Sequence, residues 1–166
     1  MEPAASSPSR ARREASILPL GGAGRIPPQA IELEEAVLGA LLIDRDALTK
    51  VVDILTAESF YVEAHQHIFD AVTLLFGESD PIDILTVAQR LRKDGKLEKI
   101  GGEAKLIGLS TRVSSSAHIE YHARIVVQKH IQRELIRISN EMIEEAYDET
   151  NDVLELLDKE IGRAHV

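Results

Sequence analysis

The residues whose types and spacing could do chemistry are few. His118 and His122 are four apart, hence on one face of a helix, with Glu120 between them. Such pairs can ligate zinc. The zincin arrangement needs Glu directly after the first His, however, and Ile119 stands there. No third ligand is evident, and polar surface histidines are the favoured reading. His65 and His67 fall on different faces of their helix, so a shared metal is less favoured still. His65, near the helix start, is expected to bond a neighbouring backbone group. Gly21-Gly22-Ala23-Gly24 has the glycines of a phosphate loop, but no strand precedes it and Pro27-Pro28 follows instead of Lys-Ser/Thr. Gly101-Gly102 lacks the lysine too, and a turn is the better reading. Glu141, Glu144, Glu145, Asp148, Glu149, Asp152, Glu155, Asp158 and Glu160 form an acidic run, whose usual meaning is a solvated face. No Ser-His-Asp or Cys-His constellation can be proposed. No catalytic, cofactor-binding or metal residue is assigned, and the chain reads as a binding and assembly module.

The elements that would position a binding surface are helical. After Ile26-Pro27-Pro28, a helix over 29–43 carries Ile31, Leu33, Val37, Leu38, Ala40, Leu41 and Leu42, apolar round most of its circumference. A helix of that kind is buried, so this is the expected central core helix. Gly39 within it points to close approach by a neighbour. Asp44 or Asp46 can cap a second helix over 47–55, with Leu48, Val51, Val52 and Leu55 inward. A third over 64–76 should bury Ile68, Phe69, Val72, Leu75 and Phe76. Asp83 caps a fourth over 84–93, burying Leu85, Val87, Ala88 and Leu91, and Gly95 ends it as a glycine just past a helix does. Leu97 and Ile100 form a short amphipathic piece, and a fifth helix covers 103–109.

The longest helical stretch covers 116–148, with Ser116 as the expected N-cap and neither Gly nor Pro inside. Its first half, with Ile119, Ala123 and Val126, belongs to the bundle. Its second half repeats Ile131, Leu135, Ile138, Met142 and Ala146 at near-heptad spacing. Such a helix outruns a small domain, so this seam projects and needs a partner. Part of that partner is a last helix capped by Asp152, whose Val153, Leu154 and Leu157 pair back in an antiparallel hairpin. The expected interface residues are therefore Ile131, Leu135, Ile138, Met142, Val153, Leu154 and Leu157. The expected fold is all-α: a compact helical bundle over 26–115, then a long helix and protruding hairpin over 116–160. Residues 1–25, rich in Ala, Ser, Pro, Gly and Arg, read as a disordered tail with one apolar patch at Ile17, Leu18 and Leu20. Glu2, Glu14 and two early prolines weigh against a transit peptide. Ile161-Gly-Arg-Ala-His-Val166 matches an in-frame translation of a common sequencing adapter. Residues 161–166 are thus expected to be non-native, with the second arm of the hairpin truncated.

Composition narrows the function. The 166 residues carry a net charge of −9, 44% hydrophobic residues and no Cys. Disulfides and thiolate metal sites are excluded. An acidic domain is a poor stand-alone nucleic-acid binder, because phosphate contacts by Lys and Arg supply most non-specific affinity. No apolar run approaches the ~18 residues of a membrane-spanning helix.

Several local patterns, in order and spacing, resemble one family. They are Arg25-Ile-Pro-Pro28; Ile31-Glu-Leu-Glu-Glu-Ala-Val-Leu-Gly39 on to Leu42-Ile43-Asp44; Phe60-Tyr61 with His65 and Ile68-Phe69; Pro81-Ile82-Asp83 with Thr86; Gly95, Leu97-Glu98 and Ile100-Gly101-Gly102; Ser116-Ala117, Ile119, Tyr121 and Ala123; and Arg133-Glu-Leu-Ile136. The ordered set is similar to the N-terminal domain of the bacterial replicative DNA helicase, the DnaB type, over about residues 25–160. The resemblance implies a cytoplasmic, ring-shaped hexamer that unwinds DNA with ATP and Mg²⁺ through a C-terminal motor domain absent from this chain. It implies a helical bundle and hairpin that pair with neighbouring copies into a collar, dock the primase, and belong to a hexamer on which loader proteins act. Matching positions for the primase-facing surface are Glu32, Lys105, Ile136, Met142 and Ile143. Lys105 replaces the family's usual Tyr, and His118 its usual Asn. An unrelated helical homodimerisation or adaptor module, and a small helical enzyme using the His118/His122 face, are the competing readings.

Overall fold

The structure, a computed structural model, describes residues 24–148 together with Leu154, Leu157, Asp158 and Gly162. Among these residues it is all-α. Helices α1 (Ile31–Ile43), α2 (Glu63–Gly77), α3 (Ile84–Lys93), α4 (Gly102–Arg112) and α5 (Ile119–Tyr147) are joined by short 3₁₀ turns at Leu48–Lys50, Ala57–Ser59 and Glu98–Ile100. Helix α1 lies at the centre, against α2, α4 and α5. Val37, Leu38, Ala40, Leu41 and Leu42 are all buried, as an apolar circumference requires.

Gly39 faces α4. A Cβ there would collide with the Leu109 carbonyl oxygen and come within 2.8 Å of Val113 Cγ2. Two helices meet backbone to backbone at this point, which only a residue without a side chain permits. Beside this contact, Glu35 of α1 accepts from Lys105 Nζ at 2.8 Å and from Arg112 of α4. The Lys105 hydrogen bond is the main reason the Glu35 carboxyl sits below its ordinary range.

Helix α3 starts where its cap is strongest. Asp83 Oδ1 accepts from the backbone N–H of Leu85 at 2.8 Å and of Thr86 at 2.9 Å, and Thr86 Oγ1 accepts from the Asp83 N–H at 3.0 Å. These reciprocal bonds satisfy donors that every helix start leaves open. At the other end Gly95 takes φ +67°. The Lys96 N–H reaches the Leu91 carbonyl at 2.8 Å, and the Gly95 N–H that of Arg92 at 3.1 Å, closing a Schellman motif. Asp83→Ala is expected to cost about 1 kcal/mol at neutral pH. The Thr86 N–H, first among the causes, lowers the folded-state pKa of Asp83. The stabilisation is therefore complete above the unfolded-state pKa of about 3.9 and fades as pH falls through the lower folded value. Urea unfolding of both chains at pH 7 and pH 3 measures this, and a gap that widened at pH 3 would contradict it.

The structure departs from several expectations. Residues 47–55 do not form a regular helix. Leu48–Lys50 is a 3₁₀ turn, and the hydrogen bonds after it mix i→i+3 with i→i+4 spacing. Thr49, Val51, Val52 and Ile54 are β-branched and lose side-chain freedom in a helix, while Leu48, Val51 and Leu55 still reach the core. Leu85 is 73% exposed. It sits about 100° round the axis from Ile84, which packs on the core with Val87, Ala88 and Leu91. Phe76 is also exposed, since it sits about 100° round the axis from its neighbour Leu75, which takes the core position in that turn. Ser116 does not cap α5. That helix begins at Ile119, and the Ser116 hydroxyl donates instead to Asp44 Oδ2, tying α5's approach to the end of α1. His65 does not bond backbone; its partner is Glu34.

Candidate docking surface on the long helix

Helix α5 has 29 residues, a length of about 43 Å. Ile119, Ala123 and Val126 in its first half are buried in the bundle. Beyond them its apolar residues open to solvent on two separate faces. Ile131 (51% exposed), Leu135 (59%) and Met142 (38%) lie along the seam, with Ile138 half-buried among them. Ile136, Ile143 and Tyr147 form a second stripe, since each step of one residue turns about 100° round the axis. Exposed large apolar groups in contiguous stripes mark interaction surfaces. Leu154 and Leu157 are helical and exposed, and Gly162 is helical, beyond where the sequence pattern ended. Val153, the Asp152 cap, residues 161 and 163–166 and nearly all of the N-terminal tail lie outside the described residues.

The second stripe continues into a cleft of about 560 Å³, lined among others by Arg25, Ile26, Tyr61, Ile136 and Asn140. Its floor is organised by Arg133. The guanidinium donates to the Pro28 carbonyl at 2.9 Å and to the Ser59 carbonyl at 2.9 Å, and lies 5.5 Å from the Tyr61 ring centroid. One side chain thus fastens the chain's entry segment and the loop before α2 to the middle of the long helix. Beyond it Arg137 bridges Glu134 and Glu141, holding the Glu134 carboxyl below its usual range and raising the guanidinium pKa.

The loop carrying Tyr61 is set from beneath by a buried carboxylate. Glu34 Oε1 accepts the Tyr61 N–H at 2.7 Å, and Oε2 the Val62 N–H at 3.4 Å. His65 Nδ1 lies 2.8 Å from Oε2, both side chains being 1% exposed. Glu34 therefore serves the start of α2 from another helix. Sequence reading missed this role, although an acidic residue among the buried positions of α1 was its signal.

The other positions marked in advance are dispersed. Glu32 is exposed on α1. Lys105 is half-buried and committed to Glu35, 2.8 Å away. Ile136 and Ile143 share the second stripe, and Met142 lies on the seam. His118 is exposed, with its ring centroid 6.3 Å from that of His122. Among the described residues no group of three His, Cys, Asp or Glu could hold a metal ion, and no helix is long and apolar enough to cross a membrane.

Comparison with known proteins decides the family. The DnaB-like helicase N terminal domain matches residues 26–128. The chain belongs to that family. It is 47% identical over 137 residues to the replicative DNA helicase DnaB of Rhodothermus marinus, a match spanning 82% of this chain and 14% of that protein. With the DnaB of Geobacillus stearothermophilus it shares 42% identity over 135 residues, 81% of this chain and 30% of that protein. The crystal structure of the N-terminal domain of DnaB helicase from Mycobacterium tuberculosis superposes with a TM-score of 0.78 at 36% identity, covering 81% of this chain and 94% of that one. The all-α architecture is thus that of the DnaB N-terminal domain, while the chain spans 14% and 30% of the length of these two helicases.

Proposed function

We propose that this chain is the collar-forming part of a hexameric replicative helicase, working in subunit assembly and in docking the primase, with a helicase loader as a further partner. Unwinding, with its ATP and Mg²⁺, is assigned to the full-length protein and not to these residues. The observation that carries the reading is the pair of exposed apolar faces on the outer half of α5. The seam of Ile131, Leu135, Ile138 and Met142, together with Val153, Leu154 and Leu157, serves contact between copies. Ile136 and Ile143, with Met142, Glu32 and Lys105, serve the primase. The acidic residues that follow along α5 favour protein over DNA as the partner.

Titration of the chain with the C-terminal domain of a matching primase tests the docking role, and absence of binding at high micromolar concentration would overturn it. The assembly role is read in the same samples by light scattering. Leu135→Asp or Ile138→Asp places a charge in the seam, at a cost of some kcal/mol to any contact made there. Self-association is expected to fall while far-UV helicity is kept; unchanged association would remove the seam from the interface.

A further inference from the structure

We infer that the chain's own N-terminal segment, residues 10–20, docks in cis along the Ile136, Ile143 and Tyr147 face of α5. The first argument is where the described chain begins. Arg133 holds the Pro28 carbonyl against the middle of α5, and Arg25 and Ile26 line the same cleft as Ile136 and Asn140. The segment before Arg25 therefore departs from the base of the second apolar stripe. Ile26, 77% exposed, already adds to that surface.

Reach and chemistry agree with this starting point. From Ile17 to Arg25 the extended chain covers roughly 27 Å, and Ile136 to Tyr147 spans about 17 Å of helix. Ile17, Leu18 and Leu20 are the short apolar patch of an otherwise polar tail, and they match a stripe of exposed Ile and Tyr. Beyond them Arg10, Arg12 and Arg13 would arrive near the end of α5, where Glu144 and Asp148 border Ile143 and Tyr147. Tethering favours this occupant over a second copy, because a short linker holds the segment at an effective concentration of the order of mM. The docking stands whether or not a primase uses the same face, and its test needs no primase.

The chain has no Cys, so Ser16→Cys gives a single labelling site. With a nitroxide there, paramagnetic relaxation in the full chain is expected to attenuate the amide signals of residues 136–147 and to spare those of α3. Adding Ile17→Asp, Leu18→Asp and Leu20→Asp should restore them. A mixture of spin-labelled unenriched chain with unlabelled ¹⁵N chain should show no attenuation. Absence of attenuation in the first sample, its survival in the triple variant, or its appearance in the mixture would each overturn the inference, the last by assigning the face to a second copy.

Discussion

Gly39→Ala is expected to destabilise the domain, although alanine is the better helix former. In an open helix the exchange gains up to about 1 kcal/mol. Here the new methyl meets the Leu109 carbonyl oxygen and Val113 Cγ2. A backbone oxygen cannot swing aside as a side chain can, so α1 and α4 must part, and overpacking of this kind costs about 1–3 kcal/mol. Parting them also strains the bonds from Lys105 and Arg112 to Glu35, which lie on the surface proposed to face the primase. Gly108→Ala in α4 is the control. A Cβ at Gly108 meets nothing within 4 Å, so that exchange should be neutral or stabilising. Urea midpoints of the two variants moving in opposite directions would establish the contact; a Gly39→Ala chain as stable as the parent would disprove it.

Gly39 also shows what the amino-acid order made legible. Signals that act within one turn of chain were readable. Asp83 as a cap and Gly95 just past the end mark both ends of α3 where the structure has them. The burial of α1 followed from its apolar circumference, and the exposed seam from the spacing of Ile131, Leu135, Ile138 and Met142. Signals that depend on a distant partner were not readable. Ser116 has the chemistry of an N-cap, but Asp44, 72 residues away, competes for its hydroxyl and wins. Periodicity alone placed a helix over residues 47–55, where β-branched side chains favour irregular turns. At the candidate surface the seam was visible but its separation from the second stripe was not. Nor was Arg133, whose carbonyl partners lie 105 and 74 residues back. A lone Arg on a helix looks like solubility until the segments it ties are known.

The same distance hid Glu34, whose loss is expected to have the largest effect in the molecule. Glu34→Ala would strand three groups at once: the backbone N–H of Tyr61 and of Val62, and the His65 ring. A buried donor left without its acceptor costs about 1–3 kcal/mol, and more where the lost partner is charged, so losing all three contacts removes a large share of the roughly 5–15 kcal/mol that holds a domain together. Glu34→Gln separates acceptor number from volume. Its single oxygen can serve the Tyr61 N–H, but its amide NH₂ then faces His65, which must present Nδ1 as acceptor and move its proton to Nε2. That nitrogen is buried without a protein partner, so the tautomer the carboxylate favours is exchanged for an orphaned donor. The variant should therefore fall between parent and Glu34→Ala. His65→Ala, made alone and in the Glu34→Ala background, completes a double-mutant cycle. The histidine should cost much less in the second background, since its partner is already gone. Additive costs would mean that the pair is not coupled. Because Tyr61 sits on the loop that Glu34 holds and faces Arg133 across the cleft, the cleft should loosen as well. Amide exchange at Tyr61 and Val62 would then rise in Glu34→Ala before the domain unfolds as a whole, and unchanged protection there would sever the link between this buried carboxylate and the docking surface above it.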